Sequence, residues 1–173
     1  NPQGVSPAAG QVSAGLTSAS NSIIPNGVVL NCTFTIVAGV PDGSTPLTFV
    51  SAGLSDDQFN DLVATGTSGA VNVSSVVPAT ATATTPPSVT PTPTQTVTLP
   101  HITIGDASGA PGTQVTVPIS LTSNGANLII ILPLRFDFNS SVLTFNSCAT
   151  PLTGFNPQGV SPAAGQVSAG LTS

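Results

Sequence analysis

Gly27-Val-Val-Leu-Asn-Cys-Thr-Phe-Thr-Ile-Val37 alternates apolar and polar side chains, placing Leu30, Cys32, Phe34 and Ile36 on one face. A period of two over that length is the signature of a half-buried β-strand. Moving outward, the turn residues Pro41-Asp42-Gly43 precede a β-rich Leu47–Val50, and Thr67-Ser68-Gly69 precede a short strand at Ala70–Ser74. Upstream, Gly10–Thr17 carries a weaker signal. Further along, His101–Gly105 and Thr113–Leu121 alternate, Val142–Phe145 is short and β-rich, and Leu128–Phe138 is a near-continuous apolar run suited to a central strand. Pro133 inside that run predicts a bulge or bend. No stretch sustains a 3.6-residue period; at most Ser55–Leu62 makes a short turn of helix. The expected fold is all-β: an antiparallel jelly-roll or immunoglobulin-like sandwich of eight to nine strands, plus an extended Thr/Pro-rich linker.

Composition narrows the function. Among 173 residues there are seven charged side chains, one Arg and six Asp, and neither Lys, Glu, Met, Trp nor Tyr. Acid/base or metal catalysis needs convergent titratable groups, and one His, six Asp and two Cys are a thin supply. The expectation is a protein that is not an enzyme and uses no cofactor. Nucleic-acid binding needs a basic face, which a single Arg135 cannot provide. Gly and Pro number 17 each, yet apolar residues make up 39% and the net charge is only −5, so the chain as a whole does not fit the disordered class. A surface with 4% charge has little to keep it dispersed. Either glycans or other subunits should cover it.

The most informative feature is a repeat. Asn1–Ser18, NPQGVSPAAGQVSAGLTS, recurs unchanged as Asn156–Ser173, an offset of 155 residues. Three readings fit: a window on a long array of near-identical repeats, a periodic polymer numbered with an overlap, or a duplicated strand for exchange with a neighbour. The opening residues show neither a charged nor an apolar signal-peptide region. The longest apolar run, Leu128–Leu132, is far short of the ~20 residues of a membrane span, so none is expected.

Residues 78–100 contain six Pro and nine Thr and no charge. Such a segment reads as an extended polyproline-like linker. Its threonines, Thr80, Thr82, Thr84, Thr85, Thr90, Thr92, Thr94, Thr96 and Thr98, are candidate O-glycosylation sites. The linker separates two pieces, 1–77 and 101–173, neither of which looks complete. Joined across the repeat, residues 101–155 and the equivalents of 1–77 make a domain of ordinary size. The expected organisation is the C-terminal part of one module (1–77), a linker (78–100), and the N-terminal part of the next (101–173).

In that permuted order the chain resembles cohesin modules, the jelly-roll domains of cellulosomal scaffolds and other microbial surface proteins. GAPGTQVTVPISLT (109–122) is similar to the family's opening turn and second strand, and LPLRFDFNSSVLTF (132–145) to its aromatic-Asp-x-x-x-Val-Leu strand pair. NGVVLNCTFTIVAGVPDGSTPLTF (26–49) and SDDQFNDLVATGTSGAVNV (55–73) are similar to its closing strands. The resemblance implies a sandwich, and it implies a scaffold or adhesion module that binds dockerin-like or carbohydrate partners as an alternative to a purely structural role.

Within such a composite module Cys148 meets the Cys32 of the following copy or chain, 39 residues away at a period of 155. A bridge there is one reading and fits an oxidising exterior; a core thiol at Cys32 with a rim thiol at Cys148 is the other. Asp56, Asp57 and Asp61 form the densest oxygen cluster, a weak metal candidate lacking the calcium-loop spacing, and a polar turn reads better. His101 reads as a solvated edge residue. Arg135 and Asp137, two apart on one strand, are expected to pair with each other or with backbone. Asn31, Asn72 and Asn139 are N-glycosylation sequons. Together these predict an extracellular or cell-surface structural protein, a subunit of a fibre, sheath or stalk, whose partners are copies of itself and glycans.

Overall fold

The computed structural model describes residues 11–18, 22–75 and 99–160, with side chains for 22–75 and 99–155. All but the last two residues of the Thr/Pro segment, and with them all nine candidate O-glycosylation threonines, lie outside the described residues. Strands follow one another as β1 (Gln11–Ser18), β2 (Gly27–Ile36), β3 (Gly43–Asp56), β4 (Asp61–Val63), β5 (Thr65–Thr67), β6 (Gly69–Val73), β7 (His101–Ile104), β8 (Ala107–Gly109), β9 (Gln114–Thr122), β10 (Leu128–Asp137), β11 (Leu143–Ala149) and β12 (Phe155–Val160). There is no helix among the described residues. Two sheets enclose one apolar core, with strand orders β12-β1-β10-β3-β6-β8, to which β4 adds beside β3, and β11-β2-β9-β7-β5.

Alternation in the sequence becomes burial. In β2, Leu30, Cys32, Phe34 and Ile36 are fully buried, and in β9 Val115, Val117, Ile119 and Leu121 face the same core. Phe34 sits where the sheets meet, packing its ring edge-on against Phe138 and Phe145 and tilted against Phe136. Strand β10 changes phase: Ile129 and Ile131 point inward before Pro133, Leu134 and Phe136 after it. The register against β3 slips between Ile131 and Leu134, because an extra residue at a bulge flips every later side chain to the other face. Proline is tolerated there because the bulge needs no ladder donor from it. Opposite the bulge stands Gly53, where a Cβ would collide with the Leu132 carbonyl oxygen.

Three features differ from expectation. Ser55–Leu62 forms no helical turn: β3 and β4 pair as a hairpin, Ser55 opposite Asp61, and Phe59 takes a positive φ of 62° in its turn. Two short pairings at the sheet ends, β5 with β7 and β6 with β8, are parallel; these strands come from distant parts of the chain, so no tight turn forces them antiparallel. The strands β4, β5, β8 and β12 add to the number expected, being too short or too polar to show a periodicity of their own.

The two sides of the Thr/Pro segment interleave. Residues 11–75 supply β1–β6 and residues 99–160 supply β7–β12. Only β3 with β4, β3 with β6 and β7 with β9 pair within one side; every other ladder among the described residues joins the two. Neither side has a sheet face that it can bury alone.

Candidate functional site

The place where the two copies of the 18-residue segment meet is the edge of the larger sheet. There β12 runs antiparallel to β1, from Ser13 opposite Val160 to Ser18 opposite Phe155. The far edge of β1 pairs with β10, from Gln11 opposite Asp137 to Thr17 opposite Ile130. Asn156–Val160 opens the second copy of the segment, while Gln11–Ser18 closes the first. The ladder therefore joins the two arms of one sequence unit, each arm drawn from a different copy. The stretch leading into β12 is fastened by Thr150, whose hydroxyl donates to the Val29 carbonyl at 2.8 Å and accepts from the Leu152 N–H. Leu152 and Phe155 then pack against the core.

Arg135 and Asp137 lie beneath this seam on the face of β10 opposite Phe136. The expected pairing does not form. Arg135 Nε and Asp137 Oδ1 are both buried without a hydrogen-bond partner, and no ion pair joins them among the described residues. Residues two apart on a strand share a face, but their side chains stand roughly perpendicular to the sheet rather than bending toward one another.

A disulfide ties the two sides of the chain covalently. Cys32 and Cys148 are bonded within the one chain across 116 residues of sequence, with Cα atoms 4.0 Å apart. They are opposite residues in the β2–β11 ladder. The sequence reading placed this bridge between neighbouring copies; here one chain supplies both sides of the sandwich and so both sulfurs.

Elsewhere, side chains are committed locally. The Asp56 carboxylate accepts from Gln58 N, Asn60 N and Asn60 Nδ2. Those bonds, the Asn60 side chain foremost, hold its pKa below the ordinary 3.8 against a smaller opposing push from burial. Asp57 instead accepts from Asn127 Nδ2 and Asp61 from Ser55 Oγ. The three carboxylates thus cap a turn in three directions. No group of three or more potential metal ligands comes together among the described residues. Both ring nitrogens of His101 meet threonine hydroxyls, Nδ1 with Thr65 at 2.7 Å and Nε2 with Thr67 at 2.8 Å, so it clasps β5 to β7. Periodicity could not reveal this clasp, although Thr65-Gly66-Thr67 places two hydroxyls at strand spacing.

Of the sequons, Asn72 and Asn139 are exposed, while Asn31 is half-buried in mid-sheet between Pro118 and Ala149. A cavity of about 170 Å³ is lined by Pro41, Asp42, Gly43, Ser44, Thr45, Val73 and Val142. Its carboxylate is already engaged, since Asp42 accepts from Ser75 N and Oγ; Thr45 Oγ1 is buried beside it without a partner. No helix among the described residues is long and apolar enough to cross a membrane. Compared with protein families, with curated proteins and with solved structures, the chain matches none.

Proposed function

We propose that the chain is a structural subunit of an extracellular fibre, sheath or surface stalk, built from repeated cohesin-like sandwiches and joined by strand complementation. The carrying observation is the seam: β1 and β12 are arms of one 18-residue unit taken from its two copies. A sandwich of this kind can be closed by residues 1–77 following residues 101–155 in line, with 78–100 as the spacer between modules. The Cys32–Cys148 bond then staples each module. Sparse charge favours close packing or a glycan coat, with Asn72, Asn139 and the linker threonines as acceptors. The disulfide suits an oxidising exterior.

Electron microscopy of native material tests this. Filaments are expected with an axial repeat of one sandwich, ~35 Å along a ten-residue strand, plus at most ~70 Å of extended linker. Dispersed monomers that bind a dockerin-type or carbohydrate ligand tightly would overturn the reading in favour of a scaffold or adhesion module.

A further inference from the structure

The register of the seam carries information beyond the pairing itself. Val160 lies opposite Ser13, and the identical residue in the second copy is Ser168. Transferred into the second copy, the same ladder sets Val160 opposite Ser168 and Phe155 opposite Ser173, the register of an ordinary antiparallel hairpin. Between Val160 and Gln166, the counterpart of the first β1 residue, stand Ser161-Pro-Ala-Ala-Gly165, a five-residue connection with proline and glycine suited to reversing the chain.

Both neighbours of β1, β10 and β12, come from the far side of the Thr/Pro segment. The place that β1 fills is therefore defined entirely by residues 128–160, and two segments of identical sequence satisfy its side-chain pattern and hydrogen bonds equally. The second copy is tethered to that place by the end of β12 itself, which gives it a high effective concentration there.

We propose that the β1 position is exchangeable: Gln166–Ser173 folds back from β12 to occupy it, and the displaced Gln11–Ser18 completes the same position in a second copy of the chain. This deepens the fibre reading by naming the joint. The ligand is the chain's own strand, held by backbone ladders on both sides, as in β-strand addition. Because the donated strand and the vacated slot lie on the same molecule but need not be used together, the contact is heterologous and propagates head to tail.

Cysteine pairs read the occupant directly. Ser13 is the Cα partner of Arg135, so Arg135→Cys with Ser13→Cys reports the first copy and Arg135→Cys with Ser168→Cys the second. In the full chain under mild oxidation, peptide mapping of the second pair is expected to find a disulfide between positions 135 and 168, and its yield should rise several-fold when residues 1–18 are removed. An equimolar mixture of Arg135→Cys and Ser13→Cys chains should give a disulfide-linked dimer, while Ser140→Cys in place of Ser13→Cys should not. Absence of the bond to position 168 in the chain lacking residues 1–18, with the Ser13→Cys pair still bonding in the full chain, overturns the exchange. Its presence without the mixed dimer overturns the donation between chains. A chain lacking residues 1–18 should also keep its cooperative melt and the Cys32–Cys148 bond, and lose its stability when 161–173 are removed as well. These assays use dilute chains, so missing filaments in native material would count against the fibre reading alone.

Discussion

Cys148 stands directly opposite Cys32 across the β2–β11 ladder, the two Cα atoms 4.0 Å apart. The bond closes a loop of more than a hundred residues around the core, and cross-linking so long a loop removes on the order of 5 kcal/mol of chain entropy from the unfolded state. The Cys32→Ala, Cys148→Ala double variant should lose about 2–5 kcal/mol in urea unfolding. Cys32→Ser should be worse than Cys148→Ser, because position 32 is fully buried and position 148 only partly. Equal stability of the oxidised and reduced chain would contradict this.

Gly53 faces the Leu132 carbonyl at the bulge, with no room for a Cβ against that backbone. Gly53→Ala should therefore push β3 from β10 and cost about 1–3 kcal/mol. Gly43 begins the same strand with open space around it and an ordinary φ, so Gly43→Ala should be neutral or slightly stabilising. Thermal melts of the two variants make the comparison.

Thr45 is 5% exposed and its hydroxyl has no partner. Replacing an unpaired buried hydroxyl with a methyl removes a desolvation cost at nearly constant shape. Thr45→Val should raise stability by roughly 1 kcal/mol; a loss of that size would show that the hydroxyl is satisfied in solution.

Asp56 is held below its ordinary pKa of 3.8, chiefly by the Asn60 side chain and then by backbone N–H groups. A carboxylate whose folded pKa is depressed stabilises the fold above the ordinary value and loses that contribution as pH falls through the folded one. The melting-temperature advantage of the parent over Asp56→Ala should therefore be full at neutral pH and shrink steadily below pH 3.8. An advantage that grows on acidification would reverse the sign.

How far the fold could be read in advance varies by strand, for physical reasons. In β2, β7 and β9 every second residue is buried, so alternation alone found them, and Pro133 marked the phase change in β10. Asn156-Pro-Gln-Gly carries no alternating apolar residue, so β12 exists only because β1 offers it a ladder. Likewise Thr65–Thr67 is a strand because His101–Thr103 lies beside it. Ser55–Leu62 has a helix-like polar composition, but Asp56 ties its carboxylate to the following N–H groups and closes a hairpin turn instead. At the candidate site the repeat was plain from identity, whereas the register that splits one unit between two copies requires the third dimension. The missing Arg135–Asp137 pair follows from strand geometry that residue spacing alone does not convey.

The interleaving has a mechanical meaning. Ser13 and Val160 sit side by side, so tension applied through them peels β1 and β12 apart one hydrogen-bonded pair at a time. That peeling must stop at the sulfur bridge. Among the described residues, only those within 11–31 and 149–160 lie outside the covalent loop, so each module can release roughly 100 Å of chain before the load passes to the bond between Cys32 and Cys148. Everything from the second strand to the eleventh is then shielded from the pull, and a stretched module retains the template on which its lost strands can re-form.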